Sequence, residues 1–366
     1  MSETIMREAL KRFQEVLATK NFDGVLVAAP EDLSSTNLRY LSGFTGSSAY
    51  LVITATQAWL LTDFRYVDQA SEECPDYAIV RHGPNIGESI AEICRAHRIG
   101  VLGFEDDKVP YQRWHRWNDQ IPVVWRPLGK LIEELRLIKN ADEIAILREA
   151  ARIAGESLLE VLPTAIGSTE IDLAFALEFA MRRHGAESLG FSTIVGSGER
   201  GALPHAHPTL RPIRSGEMVT IDFGAEVQGY KSDETVTVAV GNVSEQMRQI
   251  FDIVAEAQAL GISAARPGAT TRDVDSRVRT FIERAGYGEA FGHGTGHGVG
   301  LDVHENPFAS PDPRSEQVLV PGMTLTVEPG IYLPGIGGVR LEDTVVITEH
   351  GNERLTIVPK EFRSIG

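Results

Sequence analysis

The sequence predicts an α/β N-terminal domain over residues 1–127 and an α+β C-terminal domain over 128–366 with an internal pseudo-twofold duplication. From residue 6 to 104, short apolar runs alternate with amphipathic helical patterns, which is the signature of a layered α/β unit. In the second domain an acid-bearing β-hairpin occurs twice, over Met218–Val240 and Met323–Ile347. Helices precede each hairpin, so each half reads as helices followed by hairpin.

Taken in order, Met6, Leu10, Phe13, Val16 and Leu17 fall at helical spacing. Gly24–Ala29 is a short apolar strand, and the glycines of Asn37–Gly46 predict a loop. Ala49–Thr54 and Ala58–Thr62 form a strand pair across a three-residue turn, and a helix follows with Asp63 at its N-cap. Tyr77–Arg81, a helix over Glu88–His97, and Gly100–Phe104 continue the alternation. A helical connection near 129–139 leads to Asn140, an N-cap with Glu143 placed to reach back. Ile144, Leu147, Ala151, Ile153, Leu158 and Leu159 then give one apolar helix face.

Within the second domain, Gly167-Ser-Thr-Glu-Ile-Asp172 opens a helix ending near Gly185, and Gly268-Ala-Thr-Thr-Arg-Asp273 opens one ending near Gly286. Each hairpin then begins after a glycine, Gly216 or Gly322, with an apolar run to an acid, any residue and a glycine: Asp222-Phe-Gly224 and Glu328-Pro-Gly330. The return runs carry Asp233 and Glu342 shortly before a Thr-Val. Acids within apolar strands are costly to bury unless paired or bound to cations. Four in matched pairs predict a metal site at the pseudo-twofold axis.

The formal net charge of −16 argues against nucleic acid, which needs a basic face. The two cysteines, Cys74 and Cys94, give neither a disulfide framework nor a thiolate zinc site. No apolar run approaches a membrane span, and the first residues lack a signal-peptide core, so the expectation is a soluble cytoplasmic protein with no membrane partner. Walker-type, His-Glu-x-x-His and Gly-x-Ser-x-Gly motifs are missing from the sequence, and Gly292–His297 fits a dinucleotide fingerprint poorly.

Carboxylates on one face of a sheet can bridge two divalent cations, and an added imidazole shifts preference towards Mn, Co, Fe or Zn. The imidazoles concentrate in Gly292–Glu305, with His293, His297 and His304 among dense glycines. His205 and His207 sit just before the first hairpin.

The order Asp222, Asp233, His297, Glu328, Glu342 resembles the five-ligand dinuclear site of the pita-bread metallopeptidases, the family of methionine aminopeptidase, aminopeptidase P and prolidase, with creatinase as a metal-free cousin. Asn37–Ser47, Leu60–Tyr66 and Leu135–Ile144 resemble the N-terminal domain and linker of the proline-specific branch, and Ser197–His205 resembles its segment carrying a substrate-site histidine. Many relatives have Ser-Asp-x-Thr-Arg-Thr after the first hairpin turn, whereas here Val236 stands where Arg is common.

The resemblance implies a pita-bread catalytic domain holding two divalent ions, Mn or Co, with Zn or Fe as alternatives. Asp222 would chelate one ion, Asp233 and Glu342 would bridge both, and His297 and Glu328 would complete the other. His293 would line the substrate pocket, His304 would bond the scissile carbonyl, and His205 would contact substrate or relay protons. Arg340 would hold the carboxylates, and Glu328 would shuttle the proton. The implied substrate is a peptide or dipeptide with proline second, cleaved by an Xaa-Pro aminopeptidase or, alternatively, an Xaa-Pro dipeptidase. A binding protein without turnover is the remoter reading. Homodimerisation is also implied, with Tyr40–Ser48 and Asp63–Tyr66 either meeting the partner or packing within their own chain.

Overall fold

The computed structural model describes residues 3–33 and 36–366, and the side chains of residues 3–6, Met6 among them, lie outside the described residues. The chain separates into two compact units, Met1–Arg136 and Leu137–Gly366. The first unit thus runs past Pro127 through the helix Leu131–Arg136. No helix among the described residues is long and apolar enough to cross a membrane.

The first unit is built on a six-stranded mixed sheet. Gly24–Ala29 pairs antiparallel with Ala49–Ile53, which pairs antiparallel with Ala58–Thr62. Ala78–Arg81 adds in parallel to Ala58–Thr62 at one edge. On the other side Val101–Phe104 adds in parallel to Gly24–Ala29 and is followed by Val124–Pro127, also parallel, at the far edge. Leu10, Phe13 and Leu17 of the first helix are buried, as their spacing predicts.

Two local expectations are corrected. Thr36–Ser42 is a helix rather than a loop, because the glycines begin only at Gly43, whose φ of 73° ends it. Leu38 and Leu41 are buried one turn apart, and Ser42 Oγ donates back to Leu38 O. Asp63 does not cap a helix: the helix is Val67–Glu73, with Tyr66 at the cap position. The Asp63 carboxylate instead accepts from the backbone N and guanidinium of Arg65, a charge-assisted partner that fixes a turn first. Tyr40 and Phe44 are buried and Ser47 Oγ meets Tyr66 OH at 2.7 Å, so much of these two segments packs within its own unit.

The second unit carries the duplication. Long helices Ala141–Val161 and Glu245–Ala264 open the halves, followed by Glu170–Arg183 and Thr271–Arg284. Asn140 and Glu143 form the expected capping box, although Leu159 faces solvent. The second helices carry matching boxes, Thr169 with Asp172 and Thr270 with Asp273. Gly216 and Gly322, the residues before the hairpins, share φ near 90°, at 92° and 90°, a conformation in which a Cβ is strained.

In the first hairpin Glu217–Phe223 pairs with Glu234–Val240; in the second Thr324–Val327 pairs with Asp343–Ile347. The return strands meet at the middle. Glu342 N donates to Thr235 O (3.0 Å), and Thr344 Oγ1 donates to Asp233 O (2.8 Å). Behind them, Leu158, Leu173, Leu177, Val219 and Ile221 build the core of the first half. Val236 joins that core, so the position where relatives often carry Arg is apolar packing here.

Candidate metal centre

Strand register decides where the acids point. Asp222 lies opposite Thr235, two residues from Asp233, so alternation sends both carboxylates to one face. In the second hairpin Val327 lies opposite Asp343, which sets Glu328 against Glu342 just beyond the ladder. His297 comes from neither hairpin. It sits on Gly296–Gly298, pinned by its backbone N donating to Thr326 Oγ1 of the second hairpin (3.0 Å). Gly296 is required there, because a Cβ would come within 1.8 Å of Thr326 O.

These five side chains line one cavity of about 1020 Å³. Asp233, His297 and Glu342 each offer a ligand atom within 4.8 Å of the others. His297 Nδ1 lies 3.1 Å from Gly298 O, and a carbonyl only accepts, so Nδ1 carries a proton. Nε2 then faces Glu328 Oε1 at 3.3 Å and Asp233 Oδ2 at 3.6 Å. A lone pair among carboxylate oxygens calls for a proton or a cation.

The carboxylates give the same answer. Burial pushes Asp233 well above the usual carboxylate range, and the charges of Glu342, Asp222 and Glu328 push the same way. Burial, then Glu328 and Asp222, do likewise to Glu342. Burial also raises Asp222, against the pull of Arg340, and Asp222 Oδ1 is buried without a hydrogen-bond partner. Burial is the largest influence on Glu328 and raises it, but the hydrogen bond and charge of His297, with the charges of His293 and Arg340, together outweigh it and leave Glu328 lowered. An orphaned buried oxygen and mutually repelling acids around the His297 imidazole fit divalent cations.

The other predicted residues line the same cavity: His205, His293, His304 and Arg340, together with His207. Arg340 Nη2 donates to Asp222 Oδ2 (2.6 Å), Nη1 to Tyr332 OH and Pro204 O (both 3.0 Å), and Nε to Thr235 Oγ1 (3.2 Å). Tyr332 OH lies 2.9 Å from His293 Nε2, whose Nδ1 is 2.7 Å from Gly294 O. Because Nδ1 must donate to that carbonyl, Tyr332 donates to Nε2. Burial lowers the His293 pKa, consistent with this neutral tautomer. His304 is exposed to the cavity, its ring centroid 4.3 Å from that of His297; burial and the charge of His297 lower its pKa.

The profile of metallopeptidase family M24 matches residues 145–349, and that of the creatinase/prolidase N-terminal domain matches 10–138. The chain belongs to metallopeptidase family M24. This M24 peptidase is 43% identical to the uncharacterized peptidase YqhT of Bacillus subtilis, over 96% of this chain and 99% of that one. Its fold is similar to the Xaa-Pro dipeptidase of Bacillus anthracis, with a TM-score of 0.93 at 42% identity, covering 98% of this chain and all of the other. It is also similar to the X-Pro aminopeptidase of Thermotoga maritima, with a TM-score of 0.91 at 33% identity, covering 97% and 99%. Membership carries with it hydrolysis of peptide bonds and use of divalent metal.

Two polar residues of the M24 site escaped the sequence reading. Thr235 Oγ1 donates to Glu342 Oε2 (2.7 Å) and accepts from Arg340. Tyr332 joins Arg340 to His293. Alternation held the signal for Tyr332: it pairs with Gly338, two residues from Arg340, and so shares that residue's face.

Proposed function

We propose that this M24 peptidase hydrolyses the peptide bond between an N-terminal residue and a following proline, with peptides longer than two residues among its substrates. The convergence of Asp222, Asp233, His297, Glu328 and Glu342 in one cavity carries the reading. Asp222, Asp233 and Glu342 would hold one divalent ion and Asp233, Glu342, His297 and Glu328 the second, with Mn or Co the first choice. When bound, such ions lower the pKa of a water and polarise the scissile carbonyl. Glu328 would take the proton of the water that attacks the scissile carbonyl and pass it to the proline nitrogen, which must be protonated to leave. His304 donates to the carbonyl oxygen as its charge grows. Neutral His293, fixed by Tyr332, and exposed His205 bind the peptide beside it. Phe191, Ile194, Val303 and Phe308 supply apolar wall suited to the proline ring.

The cavity volume favours longer peptides, because about 1020 Å³ is at the top of the ~300–1,000 Å³ that seats a drug-sized ligand. Glu289 and Asp312 also line it, and both repel a dipeptide carboxylate. The names of relatives such as the Bacillus anthracis enzyme favour the second reading, an Xaa-Pro dipeptidase. Hydrolysis of Xaa-Pro and Xaa-Pro-Xaa peptides by the Mn²⁺-loaded protein separates them. Cleavage of both supports the proposal, cleavage of dipeptides alone supports the second reading, and cleavage of neither overturns both.

A further inference from the structure

The residue after each bridging acid is itself an acid: Asp233-Glu234 in the first half and Glu342-Asp343 in the second. Neighbours along a strand face opposite sides. Asp233 and Glu342 face the cavity, whereas Glu234 and Asp343, both fully buried, lie outside its lining. The structure brings these two rear acids to one ammonium. Lys360 Nζ donates to Glu234 Oε1, lies 3.2 Å from Asp343 Oδ1, and donates to Val358 O (2.8 Å). Its side chain is 6% exposed. Asp343 also accepts from Thr356 Oγ1 (2.6 Å) and Gln258 Nε2 (3.2 Å) and lies 3.2 Å from Arg354 Nε. Glu234 also accepts from Val358 N (3.0 Å).

We infer that Lys360 is a positioning residue for the metal centre: by joining Glu234 to Asp343 it fixes the separation of Asp233 and Glu342 on the cavity side. The link is one residue long on each strand, so a change in distance behind the sheet is transmitted directly to the two front carboxylates. The strands already touch through Glu342 N and Thr235 O, and the Lys360 tie stands on the opposite side of that contact from the cavity. Buried acids of like charge would otherwise drive the two strands apart. The inference rests on Asp233 and Glu342 being metal ligands.

The test is calorimetric titration of the purified, metal-stripped full chain with Mn²⁺. Lys360→Met lowers Mn²⁺ affinity about tenfold or more, the range seen when groups behind metal ligands are removed. Because that variant also leaves buried acids unpaired, Glu234→Gln/Lys360→Met serves as a charge-balanced partner. It melts closer to the wild type than Lys360→Met does, yet keeps the lowered affinity because the tie is gone. Wild-type Mn²⁺ affinity in the double variant overturns the inference. So does raised affinity in Lys360→Met, which is what loss of a positive charge alone would give. Absence of Mn²⁺ binding by the wild type overturns the assignment of the ligands, and this inference with it, whereas wild-type binding with unchanged variants overturns this inference alone.

Discussion

Replacing Arg340 by Met tests whether its guanidinium compensates the acids of the centre. Arg340 is 3% exposed and makes four side-chain hydrogen bonds, one of them the 2.6 Å bond to Asp222. Asp222 Oδ1 has no hydrogen-bond partner, so the variant leaves both oxygens of a buried carboxylate uncompensated. Breaking a buried ion pair from one side costs about 3–5 kcal/mol, and for a unit of this size each kcal/mol moves the melting temperature by about 2–4 °C. The expected drop in chelator is therefore about 6–20 °C. Excess Mn²⁺ gives Asp222 a partner again and stabilises the folded form by about 2.7 kcal/mol at a hundredfold excess over Kd, which recovers much of the loss. Differential scanning fluorimetry in chelator and in Mn²⁺ reads both numbers. A variant within about 2 °C of wild type in chelator, less than 1 kcal/mol, would falsify the compensation argument.

Asp233→Asn lowers Mn²⁺ affinity by roughly a hundredfold. In chelator it melts at or above the wild type, because burial and neighbouring acids already push Asp233 towards neutrality; a large loss of melting temperature there contradicts the repulsion described. Tyr332→Phe cuts the connection between Arg340 and His293 and lowers kcat/KM about tenfold or more, as loss of a hydrogen bond to a charged group does; unchanged kinetics contradict its positioning role. Burial pushes Cys74 up to about 12 and Cys94 up to about 11. The folded state therefore holds these protons more tightly than the unfolded state, whose thiols titrate near ~8.5, so their contribution to stability declines as pH rises from there through the folded values. Alkylation at pH 8 is slow until denaturant is added, and rapid labelling of the native protein contradicts the burial.

The acids of the centre were legible because carboxylates in apolar strands are expensive, and a costly pattern found twice demands an explanation. Asp222 and Glu328 shared a local pattern that a single hairpin would not have revealed. Tyr332 and Thr235 were hidden because tyrosine and threonine are ordinary strand residues; only register shows what they touch. Lys360 lies far along the chain from Glu234, in a segment with no regular periodicity, and nothing local announces its partners. The helix Thr36–Ser42 was missed because the nearby glycines outweighed a pattern only seven residues long. Val236 shows the opposite case: its departure from the family pattern was plain, but its burial in the core needed coordinates.

Thr235 O accepting from Glu342 N has a consequence for how the protein fails. The centre is a seam between two duplicated halves rather than a pocket carved into one. Each half brings two carboxylates, and neither keeps the proposed ligand set complete if the seam opens by an ångström or two. Such an opening leaves helices and both hairpin ladders intact. On heating or mild denaturation, loss of catalysis therefore precedes loss of secondary structure, and added metal delays the first event more than the second.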